Sequence, residues 1–182
     1  MTKKCALLII DMINDFQFPN GEKLANFTKE IVPPILQLKD HFHAKEWPVI
    51  YINDHYQLWK ADIGLITDHA TNEVSAPIIQ EMKPGHEDYF LIKPKHSAFY
   101  GTALNTLLHE LDVQSVAITG VAGNICVFFT ANDAYMREFD VYVPKNTIAS
   151  EEENFNKYAL EMMETVLKAD IRPSSEFIQL LS

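Results

Sequence analysis

Short apolar runs alternate along this chain with longer segments whose apolar residues recur at helical spacing. Residues 6–10, 49–52, 89–92, 115–119 and 141–143 read as strands, with a shorter sixth at 169–171. Several of these runs are continuously apolar rather than alternating, the pattern of strands covered on both faces in a parallel sheet. Ile31, Ile35, Leu38 and Phe42 fall on one helical stripe, and Leu104, Leu107, Leu108 and Leu111 on another. A third helix is predicted from about Asn124 to Glu138, and a fourth carries Phe155, Tyr158, Met162 and Val166. The acidic run Glu151-Glu152-Glu153 reads as the first turn of that fourth helix after Ser150, where negative charge suits the helix dipole. The least regular stretch, from Tyr56 to Asp88, is expected to hold a short helix and pocket-forming loops. This alternation of strand and helix predicts an α/β fold, a mostly parallel sheet with right-handed crossovers placing helices on both faces. No internal repeat or linker interrupts it, and 182 residues suit a single domain over 1–182.

Composition narrows the class. With 47% apolar residues the chain has enough to bury a sizeable core. Fifteen Lys and Arg against 25 Asp and Glu leave a net charge of -10, which argues against nucleic acid and anionic membranes as partners. No apolar run approaches a membrane-spanning length, and the six apolar residues between Lys4 and Asp11 are too few for a secretory signal. Cys5 and Cys126 make no disulfide framework, so a cytoplasmic setting is expected.

Ligands of open parallel sheets bind beyond the carboxyl ends of the strands. Asp11 follows the first strand, Asn53-Asp54-His55 the second, Lys93 the third and Gly120 the fourth. An acid, an imidazole, an amine and a glycine turn are thus delivered to one edge. The last turn, Gly120-Val121-Ala122-Gly123-Asn124-Ile125-Cys126, carries most information. Its glycines permit unusual backbone angles or close approach. Asn124 is expected to cap the next helix and so place Cys126 in its first turn, where the dipole and the Lys93 ammonium would favour thiolate. Asp11 would shuttle protons, completing a set for nucleophilic acyl chemistry. The competing reading makes Cys126 a small buried hydrophobe, and Cys5, at the start of the first strand, keeps that reading.

These motifs together resemble the isochorismatase-like cysteine hydrolases, a superfamily that includes nicotinamidases and N-carbamoylsarcosine amidases. The resemblance rests on residues 9–16, 93–102 and 119–126, continues through residues 130–135 and spans essentially the whole chain. It implies a three-layer α/β/α sandwich around a six-stranded, mostly parallel, Rossmann-like sheet. It also implies a triad of Asp11, Lys93 and Cys126, with Lys95 as the rival cation. A cis peptide between Val121 and Ala122 is implied too, with the N–H groups of Ala122 and Cys126 as an oxyanion hole. The activity implied is hydrolysis of a small amide or related acyl substrate through a thioester, without a cofactor. Homodimers or homotetramers are implied as well.

A nicotinamidase would require a metal site with an Asp-x-His pair after the second strand. Asp54 and His55 are adjacent instead, and with His69 as the only further candidate no metal site is expected. Phe16, His55, Tyr56, Trp59, Phe99 and Tyr100 are candidate pocket residues, the aromatics by stacking on a flat substrate. Asp15 is expected to fix its loop, Lys95 to be solvated, and His96 has no assigned role. A nucleotide-binding module is disfavoured, because neither G-x-G-x-x-G nor a P-loop occurs. A non-catalytic or redox-sensing relative with the same fold stays open, as does a metal-dependent nicotinamidase.

Overall fold

A computed structural model describes residues 3–181. The strands are β1 (Cys5–Ile10), β2 (Val49–Asp54), β3 (Tyr89–Lys93), β4 (Ser115–Val121), β5 (Asp140–Tyr142) and β6 (Ile148–Ala149). All pair in parallel, in the order β3-β2-β1-β4-β5, with β6 on β4. β5 registers against Ser115 to Ala117 and β6 against Gly120 and Val121, so the two share one edge of β4 in succession.

The sixth strand is therefore not at residues 169–171. That segment makes a single bridge, Asp170 to Tyr142, flanked by the hydrogen bonds Val143 N to Asp170 O and Asp170 N to Val141 O. It stops there because the Arg172 amide turns back onto the Asp170 carboxylate and Pro173 follows.

Successive residues of β1 point to opposite faces, and the core divides accordingly. Ala6, Leu8 and Ile10 join one cluster with residues of α4 (Leu104–Glu110), α5 (Phe128–Met136) and α6 (Glu153–Thr165). Cys5, Leu7 and Ile9 join the other, under α1 (Gly21–Ala44), α3 (Ala76–Met82) and α7 (Ser174–Leu181). The result is a three-layer α/β/α sandwich. Ile31, Ile35, Leu38 and Phe42 form the buried stripe of α1. The irregular stretch holds two helices rather than one, α2 (Ile63–Ala70) and α3, and Ile66 and Ala70 of α2 pack on Ile13 in the loop after β1. No helix among the described residues is long and apolar enough to cross a membrane.

Asp62 caps α2 through a bond from the Leu65 amide. The predicted acidic helix start is shorter than expected. α6 begins at Glu153 with Glu152 as its N-cap residue, while Glu152 pairs with Lys23 on α1.

Gly120 sets the spacing at the sheet's carboxyl edge. Its φ is +110°, and a Cβ there would lie 2.1 Å from the Ile10 carbonyl oxygen on the neighbouring strand. Gly120→Ala is therefore expected to destabilise the fold by roughly 2–6 kcal/mol, backbone strain and overpacking combined. Thermal denaturation checks this, and an unchanged midpoint would show that the two strand ends can separate freely.

Candidate active site

The ends of β1, β3 and β4 deliver Asp11, Lys93 and Cys126 to one point. Lys93 Nζ lies 2.8 Å from Asp11 Oδ2, 3.5 Å from Cys126 Sγ and 3.1 Å from the Lys95 carbonyl oxygen. An ammonium has three protons to donate, and here each has an acceptor. Asp11 is fixed on its other oxygen, where Oδ1 accepts the Asp54 amide at 2.8 Å. Its own amide donates to Ile52 O, and its φ of 50° turns the chain sharply off β1.

Cys126 lies in a five-residue π-turn, Gly123–Val127, between β4 and α5. The Val121–Ala122 peptide bond is cis. Asn124 does not cap the following helix. Ala122 occupies that position, and its carbonyl accepts the Ile125 and Val127 amides. The Asn124 amide donates to Ser150 Oγ, which in turn donates to Asn156 Oδ1 on α6. Gly123 allows this contact, since a Cβ there would meet Asn156 Oδ1 at 2.3 Å.

The loop that follows Lys93 is tied to α5, the helix after the Cys126 turn. Thr130 Oγ1 donates to Cys126 O and accepts the Ala98 amide, and Ser97 Oγ donates to Asp133. Asn53 clamps the loop after β1, its side chain accepting the Ile13 amide and donating to the Ile13 carbonyl. Asn53 was visible in the sequence only as a polar residue at a strand end, with nothing to mark its role.

Burial works against the Lys93 charge, but Asp11 above all, with Cys126 and Asp54 adding to it, outweighs burial and raises its pKa. The lysine stays an ammonium. Burial and then the Asp11 carboxylate push the Cys126 thiol up, and Lys93 opposes them without prevailing. The expectation of a favoured thiolate is thus reversed. Burial of the sulfur and the neighbouring carboxylate outweigh the single ammonium, which favours the thiol beside the Asp11–Lys93 ion pair.

A cavity of about 540 Å3 opens over the three residues, walled by Phe18, Leu24, Tyr56, Pro94 and Ile125 among others. Of the six pocket residues expected from sequence, only Tyr56 lines it, with its hydroxyl donating to Ile13 O. Phe16 is buried in the core beneath α1, and Phe99 is buried between Phe139 and the Arg137 guanidinium. His55 and Trp59 stack on each other, ring centres 4.1 Å apart, in a loop that turns outward through left-handed Tyr56 and Gln57. Tyr100 is exposed away from the cavity. Asp15, Lys95, His96 and Glu151, by contrast, do line it. Their signal was absent because they come from three loops, after β1, β3 and β6, that only the fold brings together. A larger open depression of about 870 Å3 lies alongside, sharing Asp15 and Phe18 but none of the three central residues.

Asp54, His55 and His69 do not assemble a metal site. Asp54 Oδ1 accepts the Tyr56 amide, His55 Nδ1 accepts the Gln57 amide, and His69 packs on the Tyr56 ring. No three His, Cys, Asp or Glu side chains among the described residues are grouped to hold a metal ion.

Comparison with known proteins shows the family of the chain. The isochorismatase domain family matches residues 5–171. YaaI, an isochorismatase family protein of Bacillus subtilis, is 59% identical over 174 residues, covering 96% of each chain. The ureidoacrylate amidohydrolase RutB of Acinetobacter baylyi is 26% identical over 164 residues, covering 75% of this chain and 67% of its own. The crystal structure of N-carbamoylsarcosine amidase from Thermoplasma acidophilum superposes with a TM-score of 0.73 at 27% identity, covering 94% of this chain and 96% of its own.

The charges around Cys126 set the direction of its titration. A carboxylate raises a neighbouring thiol's pKa and an ammonium lowers it. The thiolate absorbance of Asp11→Asn should therefore appear at lower pH than in the unaltered protein, and that of Lys93→Met at higher pH. Cys5, fully buried and with its own thiol pushed up by desolvation, stays silent in this measurement. Movement in the opposite sense would overturn the electrostatic assignment.

Proposed function

The chain belongs to the isochorismatase family, and on that premise we propose that it hydrolyses the C–N bond of a small amide or ureido compound through a thioester on Cys126. The observation that carries this reading is the single buried ammonium of Lys93, in contact with both the Asp11 carboxylate and the Cys126 sulfur beneath an open cavity. Similarity to a ureidoacrylate amidohydrolase and to an N-carbamoylsarcosine amidase supports the bond type.

In the proposed sequence, Asp11 takes the Cys126 proton as the sulfur attacks the carbonyl carbon. The oxygen that gains charge is met by the backbone N–H groups of Ala122 and Cys126. Asp11 passes the proton to the departing nitrogen as the C–N bond breaks, releasing ammonia or an amine. Water then adds to the thioester, losing a proton to Asp11, and the acid departs as the proton returns to the sulfur. Lys93 stays charged throughout and holds both partners in place. Because Asp54, His55 and His69 point to separate partners, the metal-dependent nicotinamidase reading has no support from side-chain placement.

Assembly follows the same reading. α6 leaves Phe155, Tyr158 and Met162 exposed at 44%, 61% and 46%, and Val166 just beyond it at 50%. Their spacing of three, four and four residues makes one apolar seam of the kind that packs against another helix. The flanking Lys157, Glu161 and Glu164 offer both signs of charge to a second copy of this chain. A homo-oligomer through this seam is expected, and light scattering should give a multiple of the chain mass that Met162→Lys reduces. A monomeric unaltered protein would remove this interface.

The direct test of the chemistry is ammonia release from a panel of small amides, nicotinamide and ureido acids among them. Turnover should fall by about 1,000-fold or more in Cys126→Ser, as when a nucleophile acting within a catalytic unit is removed. Turnover that survives the substitution would exclude the thioester. A folded protein that turns over no member would shift the weight to a non-catalytic relative.

A further inference from the structure

The charges lining the cavity are unequal. Asp11 and Lys93 form an ion pair and offset each other. The remaining carboxylates are Asp15, Asp54 and Glu151 and the remaining ammonium is Lys95, leaving carboxylates in excess by two. None of these four makes an ion pair among the described residues. Asp15 and Asp54 are held in place by the Gln17 and Tyr56 amides, each on one oxygen. Asp11, Asp15 and Asp54 gather about the Tyr56 phenol, whose pKa is pushed up by burial and then by those three carboxylates. Asn124 adds an acceptor to the opposite wall, its Oδ1 buried and without a hydrogen-bond partner. Carboxylates thus outnumber ammonium groups in the cavity lining.

From this distribution we infer that the cavity selects small amides bearing a cationic or neutral donor group, such as an amine beyond the scissile amide, over amides bearing a carboxylate. The inference rests on the proposed hydrolase reading and adds a substrate class to it. Phe18, Leu24, Pro94 and Ile125 would enclose the carbon frame, while the carboxylates of Asp15, Asp54 and Glu151 would receive the donor group. Lys95, which is exposed, is the one lining ammonium outside the Asp11–Lys93 pair and favours the opposite preference. A converging negative potential in a partly enclosed site raises the local concentration of cations and lowers that of anions.

Thiol reagents of different charge read this potential without requiring turnover. Aminoethyl, methyl and sulfonatoethyl methanethiosulfonates carry a positive, zero and negative charge. In each case the Cys126 thiolate forms a mixed disulfide and displaces methanesulfinate. With rates referred to mercaptoethanol, the cationic reagent should exceed the anionic one by roughly 10-fold or more at low salt. The ratio should shrink as salt is added. Any change in thiolate fraction affects all three reagents equally, so the ratio isolates the potential. The double substitution Asp15→Asn with Glu151→Gln should bring it toward one, and Lys95→Gln should widen it. Matched primary amides carrying an amine or a carboxylate give the companion measurement, with kcat/KM higher for the amine.

A faster anionic reagent, or a ratio indifferent to these substitutions, would overturn the charge selectivity. So would a preference for the carboxylate amide, although Cys126-dependent turnover of it would leave the hydrolase reading intact. Reagent selectivity as expected with no turnover of either amide would instead overturn the hydrolase reading, and the substrate class with it.

Discussion

The buried ammonium of Lys93 is the constraint on which the rest of the site depends. Withdrawing such a charge from water costs several kcal/mol, and only good partners on every proton offset it. Here those partners are a carboxylate, a carbonyl oxygen and a sulfur from three different segments. β2 lies between β3 and β1, so the Lys93 side chain must cross a strand to reach Asp11. Two strand spacings are roughly 10 Å, a gap that needs a long cationic side chain and a partner reaching back. β2 fits beneath this crossing because its last residues serve the same site. Asp54 gives its amide to Asp11, and Asn53 holds the loop that Asp11 begins.

An ion pair alone would not fix the sulfur, and the hydrogen bonds around the nucleophile turn supply what it lacks. Thr130 joins the Cys126 carbonyl to the loop that follows Lys93, so sulfur and ammonium share one support. On the other side, Ser150 and Asn156 hold the turn against α6, in space that exists only because residue 123 has no side chain. Gly120 lets β4 come close to β1, and Asp11 and the turn leave those strands side by side. Glycines at strand ends and small hydroxyl residues behind the cysteine therefore serve geometry, and the acid, the amine and the thiol are left for the proposed chemistry.

What could be read from the sequence divides along the same line. Continuous apolar runs and helical stripes report burial directly, which is why β1 to β4 and the buried face of α1 were legible. Asp11, Lys93 and Cys126 were legible as a group because each stands at a strand end or in the turn after one, and topology brings such positions together. β6 was not, because two residues carry no periodicity and their pairing depends on the turn after β5. The pocket aromatics failed for a related reason. Aromatic character shows that a ring will bury surface, not which surface, and Phe16 and Phe99 bury theirs in the core. The charge of Glu151 suits a helix start, whereas α6 begins two residues later and leaves Glu151 lining the cavity.

The protonation state of the sulfur bears on what kind of cysteine this is. A redox sensor depends on an accessible thiol with a lowered pKa, since the thiolate is the species that oxidants attack. Cys126 departs from that, its thiol raised by burial and by Asp11. For a hydrolase the same arrangement is favourable. Moving the proton from sulfur to Asp11 relocates one negative charge beside an ammonium that touches both groups. It creates no new charge in the buried site, so the desolvation that opposes a free thiolate opposes this transfer far less. In the proposed sequence that proton is the one Asp11 passes to the departing nitrogen. A thiol kept protonated until a carbonyl arrives resists adventitious oxidation and still has its base in place.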